Sequence, residues 1–144
     1  MIAVDTNLLV YAHRREVSEH GAASATLRGL AEGRGRWGIP WPCVYEFYSV
    51  VTNPRIWKGL ESSPKQAWDQ ISAWLLSPSL LLLAETDDFF DVLEGFLTRP
   101  RVKGPIVHDA RVAALCVAHG VRVLLTRDRD FGLFPELRTE NPLS

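Results

Sequence analysis

The sequence predicts an α/β protein: a single three-layer α/β/α domain with a central parallel sheet of four to five strands. Two observations predict it. Short apolar runs alternate with helix-period stretches along the chain, the pattern of βα units feeding a parallel sheet. The chain has 144 residues, 47% hydrophobic and 23% charged. That is ordinary globular composition and one domain's length, spanning 1–144. A chain near this size buries roughly two-thirds of its unfolded surface, enough for a true core.

The elements follow in order. Ile2-Ala3-Val4 is a short buried strand, broken at Asp5-Thr6-Asn7. Leu8 to His13 reads as a first helix, and Ala22 to Ala31 as a second that ends before Gly33 and Gly35. Trp37-Gly38-Ile39 is a second strand. Pro40-Trp41-Pro42 opens a helix, since proline suits a first helical turn, and Asn53-Pro54 stops it. Ser63-Pro64 opens another that reaches Leu76. Leu80 to Leu83 is a continuous apolar strand, and Thr86 to Leu97 is helical behind an acidic start. Pro105 to His119 is helical and ends at Gly120. Val121 to Leu125 is the clearest strand, followed by a turn over Thr126-Arg127-Asp128-Arg129-Asp130. Arg138 to Glu140 is a last edge strand.

Composition excludes several classes. Disordered, collagen-like and coiled-coil chains do not look like this. The net charge of −1 gives no global case for a nucleic-acid partner, although local patches count for more than totals. Cys43 and Cys116 are too far apart in sequence for zinc spacing and too few for a disulfide framework. Both lie in apolar stretches and read as buried free thiols, which suits a reducing compartment. The N-terminus shows no basic leader, and the longest apolar run, Leu80 to Ala84, is far short of a membrane span. The expected location is cytoplasmic.

The acids carry the chemistry. Ligands of open α/β sheets bind beyond the carboxyl ends of the strands, near the reversal of strand order. Asp5 ends the first strand, and Asp128 and Asp130 follow the strand ending at Leu125. Two helices add more. At about 100° per residue, Glu46 falls about 60° from Cys43 and Asp109 about 60° from Ile106, each on the shoulder of a buried helical stripe. A carboxylate so placed is poorly hydrated and needs a partner. No Lys or Arg shares its face, and Arg111 points elsewhere. Clustered carboxylates repel and hold protons, whereas bound Mg²⁺ or Mn²⁺ keeps them ionised through oxygen ligation. Such a metal polarises a phosphate oxygen and activates water, the chemistry of phosphodiester hydrolysis.

Each acid also has a plainer role available. Asp5 could cap the next helix. Glu46 could pair on a helix flank. Asp109 suits a helix dipole, and Asp128 and Asp130 suit a turn. The conjunction favours the site, because independent accidents would otherwise converge on one sheet edge.

These residues carry a family resemblance. Val4-Asp5-Thr6-Asn7-Leu8-Leu9, Glu46 after Pro40-Trp41-Pro42, Asp109 before Gly120, and Thr126-Arg127-Asp128-Arg129-Asp130-Phe131 resemble the PIN-domain ribonucleases. More narrowly, they resemble VapC-type toxins of bacterial toxin–antitoxin pairs. Tyr45-Glu46-Phe47 through Thr52-Asn53-Pro54-Arg55 is similar to a mycobacterial-style branch. The resemblance covers essentially the whole chain and implies a Mg²⁺- or Mn²⁺-dependent endoribonuclease. Asp5 and Asp109 would be the principal ligands, Glu46 would hold a metal-bound water or a second metal, and Asp128 would complete an acidic quartet. Asp130 matches the second acid of the same motif. Thr6, Asn7 and Thr126 would orient acids or waters. The implied reaction is in-line attack of a metal-activated water on an RNA phosphodiester. The resemblance further implies a homodimer held inactive by a cognate antitoxin protein over the site.

Arginine outnumbers lysine 13 to 3. Arg14-Arg15, Arg34-Gly35-Arg36, the Arg99–Lys103 stretch and Arg127 with Arg129 form local basic clusters. Arg127 and Arg129 flank the acids and are the candidates for the substrate strand. Trp68 and Trp74 are expected to pack a helix face; Trp37, Trp41 and Trp57 fit either core or base-stacking roles. His108 adjoins Asp109 and is expected at the surface or at a cap. Apolar faces around Phe47, Val50 and Val51, or around Phe89, Phe90 and Leu93, are candidates for a dimer or antitoxin contact. Two alternatives compete. A haloacid-dehalogenase-like phosphohydrolase needs an acid where Asn7 stands. A non-catalytic RNA- or protein-binding α/β module would keep its function without Asp5 or Asp109.

Overall fold

The computed structural model describes residues 1–143. Five parallel strands form one sheet in the order β3-β2-β1-β4-β5. They are β1 (Ile2–Val4), β2 (Trp37–Pro40), β3 (Leu80–Leu83), β4 (Val123–Leu125) and β5 (Thr139–Glu140). The helices are α1 (Thr6–His13), α2 (His20–Glu32), α3 (Trp41–Val51), α4 (Pro54–Trp57), α5 (Pro64–Leu75), α6 (Phe89–Leu97) and α7 (Ile106–Ala118). From β1 the chain steps outward through β2 to β3, then returns across the sheet to β4. Right-handed crossovers in opposite directions put α1–α5 on one face and α6–α7 on the other. The expected three layers result.

Local chemistry explains the boundaries. Pro42 sits in the first turn of α3, where its missing N–H costs nothing. Ser63 and Gln66 form a reciprocal capping box at the start of α5. Gly120, at φ +68°, ends α7 in the left-handed region that a side chain would resist. Several boundaries differ from expectation: α1 starts at Thr6 rather than Leu8, α2 at His20 rather than Ala22, and β4 at Val123 rather than Val121. Asn53-Pro54 does not only stop α3; the Asn53 side chain accepts the Arg55 amide and starts the short α4. The helix expected from Thr86 begins at Phe89. The turn after β4 continues as a 3₁₀ helix over Arg129–Leu133.

The core lies between sheet and helices. Trp37, Phe47, Phe131 and Phe134 are its largest fully buried side chains, so Trp37 is core. Phe47 meets the edges of His13 and Trp74, with ring centroids 5.3 and 4.9 Å away. Because Phe47 and Val51 are fully buried, the face around them is not available to a partner. The exposed apolar surface is instead on α3 and α5, at Tyr45, Tyr48, Trp68 and Leu75, with Phe90 of α6 also exposed. Trp68, expected to pack, is 59% exposed, whereas Trp74 packs against the core. Both cysteines are buried free thiols. Among the described residues, no helix is long and apolar enough to cross a membrane.

Arg14 also departs from expectation, being buried rather than part of a solvated basic cluster. Its guanidinium lies 4.0 Å from the Trp57 ring centroid, donates to the Leu60 carbonyl at 2.7 Å and pairs with Glu16. It fastens the end of α1 to the segment after α4. Phe47 is the single largest commitment of α3 to the core. Phe47→Ala is expected to cost about 3–5 kcal/mol, read as a lowered midpoint of urea unfolding.

Candidate active site

Register builds the floor of the site. Val4 of β1 pairs with Leu125 of β4, so the next residues, Asp5 and Thr126, emerge side by side. They stand at the carboxyl edge between β1 and β4, where strand order reverses. The Asp5 amide still donates to the Leu125 carbonyl at 3.0 Å. Both side chains are buried. Asp5 stands at the N-cap position of α1 without a side-chain capping bond into its first turn. It accepts the Thr126 hydroxyl at 2.7 Å and the Cys43 thiol at 3.5 Å.

The Thr126 hydroxyl oxygen in turn accepts the Asn7 side-chain amide at 3.4 Å and the Asp128 amide at 3.0 Å. Asn7 also accepts the Arg127 amide at 3.2 Å. Thr6 donates to Glu46 at 3.2 Å. The Thr6, Asn7 and Thr126 side chains therefore hold the acids of β1, α3 and the β4 loop in one network. Asp128 accepts the Asp130 amide at 2.8 Å and so fills its turn role as well.

Asp5, Glu46, Asp109 and Asp128 line one cleft of about 310 Å³. Asp109, Asp128 and Asp130 each offer an oxygen within 4.8 Å of the others. Asp5 and Glu46 are not members of that trio, and Asp130 is exposed outside the cleft lining. Electrostatics link all five acids. Burial pushes Asp5 above the usual carboxylate range, against the Thr126 hydrogen bond that favours its charge. Partial burial and the Asp5 charge push Glu46 up. Asp109 is raised to about 7 by desolvation, then by Asp128, Asp5, Asp130 and Glu46. Every main influence on Asp109 disfavours its ionisation.

The neighbouring arginines do not relieve this. Arg111 pairs with Glu85 at 3.2 Å. Arg127 pairs with Glu19 at 2.5 Å and donates to the Tyr11 hydroxyl at 3.1 Å. Arg129 is exposed at the start of the 3₁₀ helix. His108 is exposed, as expected, and lines the cleft beside Asp109. Among the described residues, no arginine or lysine lines this cleft, and its converging hard oxygen donors fit a divalent cation.

The other half of the cleft is apolar. Val10, Tyr11, Val50, Ile56, Trp57 and Val112 line it. Sequence reasoning missed this wall. Asn-Pro, a helix-start signal, could have placed Ile56 and Trp57 on a short helix. Their approach to the acids depends on tertiary folding.

The raised Asp109 has a measurable consequence. The folded, metal-free protein holds its proton up to about pH 7, and the unfolded chain loses it near the ordinary aspartate value of 3.8. The associated stability is present below the unfolded value and is lost as pH rises through the folded one. Asp109→Asn removes that loss. In EDTA at pH 8 it should unfold a few degrees higher than the parent, about 1 kcal/mol after solvent screening of a half-exposed group. As pH falls below 3.8 the two melting temperatures should converge.

The PIN domain profile matches residues 2–137. Ribonuclease VapC43 of Mycobacterium tuberculosis is 32% identical over 143 residues, covering 99% of this chain and 96% of its own. Ribonuclease VapC37 of the same organism is 32% identical over 145 residues, covering 99% and 97%. Two solved structures share the fold. VapBC2 from Rickettsia felis, bound to a promoter DNA fragment, has TM-score 0.67 at 19% identity and covers 98% of both chains. VapC20 of M. tuberculosis, a toxin that cleaves the sarcin–ricin loop, has TM-score 0.66 at 19% identity, covering 92% of this chain and 93% of its own. With a matching profile over nearly its full length and relatives above 30% identity, this chain belongs to the PIN-domain family.

Proposed function

We propose that the protein is a Mg²⁺- or Mn²⁺-dependent endoribonuclease, the toxin of a type II toxin–antitoxin pair, acting in the cytoplasm. One observation carries the reading: acids from β1, α3, α7 and the loop after β4 line a single cleft at the strand-order reversal. The ribonuclease names of the relatives support it. The VapBC complexes among similar folds support a cognate antitoxin as partner. The exposed aromatic face of α3 and α5 supports a homodimer.

Asp5, Glu46, Asp109 and Asp128 would hold the cation, with Asp130 at the outer edge. When bound, the cation supplies Lewis-acid polarisation of a phosphate oxygen and makes a nucleophile available at neutral pH. The chain's own residues do the rest. Thr126 orients Asp5 and favours its charged form. Thr6 fixes Glu46 at the cleft mouth. Asn7 ties the start of α1 to the loop that carries Asp128. Arg127 and Arg129 would meet phosphates flanking the cut, Arg127 by exchanging its Glu19 carboxylate for a phosphate, a task that a guanidinium fork suits. The apolar wall limits water around the reacting phosphate.

The test is cleavage of a labelled structured-RNA pool by protein refolded free of any partner. Cutting is expected with Mg²⁺ or Mn²⁺ and none in EDTA. Asp5→Asn should lose more than about a hundredfold, beyond the 10–100-fold typical of residues that only support a ligand. Its unfolding midpoint should not fall. Cutting that survives EDTA and Asp5→Asn unchanged would sink the reading.

A further inference from the structure

The apolar wall of the acidic cleft contains two aromatic rings, and each is fixed from outside. Trp57 lines the cleft, and its indole N–H donates to the Val50 carbonyl at 2.8 Å. Arg14, which does not line the cleft, holds its guanidinium 4.0 Å from the indole centroid. The segment around Trp57 is fastened at both ends. Asn53 caps α4, Lys58 turns the chain at φ +51°, and the Ser62 amide returns to the Val51 carbonyl at 2.8 Å. Tyr11 of α1 also lines the cleft, its hydroxyl bonded to Arg127 at 3.1 Å and its backbone carbonyl to His20 at 3.0 Å. Rings so held lose little freedom when a ligand stacks on them.

Resting on the ribonuclease reading, we infer that Trp57 and Tyr11 form a nucleobase subsite that takes the base adjoining the scissile phosphate, unstacked from its neighbours. The cleft of about 310 Å³ is at the small end of ligand pockets, with room for one nucleotide rather than a helix. A phosphate that reaches Asp5 and Asp109 at the floor brings its own base within one nucleotide's length of the wall. A base paired and stacked in a duplex cannot follow it there. Aromatic faces accept any base, and stacking is a common means of holding unpaired RNA. The subsite therefore selects unpaired strands first and sequence second. Exposed Ile56, at 49%, forms the apolar lip.

The test couples one protein ring to one base. Kinetics are measured on a hairpin RNA cut by the wild type, and on the same RNA with an abasic nucleotide at each position around the cut. In the wild type, one abasic position is expected to lower kcat/KM about tenfold, the effect of losing one stacked base. Trp57→Leu, which keeps apolar volume, should raise KM about tenfold with kcat within threefold. It should lose less than twofold more at that abasic position. Trp57→Phe, which keeps a ring, should restore most of the abasic sensitivity. Tyr11→Leu repeats the measurement from α1 should Trp57→Leu fail to fold. Additive losses from ring and base overturn the inference alone. Unchanged cleavage by Trp57→Leu also overturns it and assigns the wall to a protein side chain. A wild type that cuts no RNA overturns both this inference and the ribonuclease reading.

Discussion

The hydrogen bond between Thr126 and Asp5 is the constraint on which the site depends. Two adjacent parallel strands deliver the two residues at the same level, and the 2.7 Å bond joins the strand ends across the reversal of strand order. A buried carboxylate without a donor would cost several kcal/mol or take up a proton. The same hydroxyl oxygen accepts from Asn7 and from the Asp128 amide. One small side chain thus sets the rotamer of Asp5, the entry of α1 and the path of the loop that carries Asp128. A longer or shorter β4 would move Thr126 off this level and dissolve the arrangement.

The rest of the fold sustains a local charge imbalance. Arginines next to the acids in sequence have other partners: Arg127 with Glu19 and Arg111 with Glu85. The carboxylates therefore face one another, and Asp109 rises to about 7. Such a cluster works against folding in the absence of a cation. Burial of the aromatic core built on Trp37, Phe47, Phe131 and Phe134 offsets it. Stability stored in the core permits strain at the site.

The sequence revealed much of this because short-range rules govern it. The strand after Met1, the helix start at Ser63-Pro64 and the stop at Gly120 each follow from residue chemistry within one or two turns. Helical periodicity placed Glu46 and Asp109 on buried shoulders, and both line the cleft. Arg14 misled because a guanidinium reads as a surface charge until an indole is found against it. Phe47, Val50 and Val51 looked like spare apolar surface because sequence cannot say which stripe meets the sheet. Trp68 looked buried by its type, yet its face of α5 is open. The start at Phe89 instead of Thr86 leaves a turn before the helix, in which the Phe89 amide donates to the Thr86 carbonyl at 3.1 Å.

By itself, the sequence determined the order of elements, the parallel sheet, and which acids stand at strand ends and helix shoulders. Those are consequences of periodicity, breakers and caps, which act over a few residues. Only the tertiary structure decided the register of β1 on β4 and the diversion of the arginines to other partners. It alone brought Tyr11 and Trp57, 46 positions apart, to one cleft with the acids. Those outcomes depend on contacts between distant segments. Their free energy comes from closing loops around a shared core, and no local pattern encodes it.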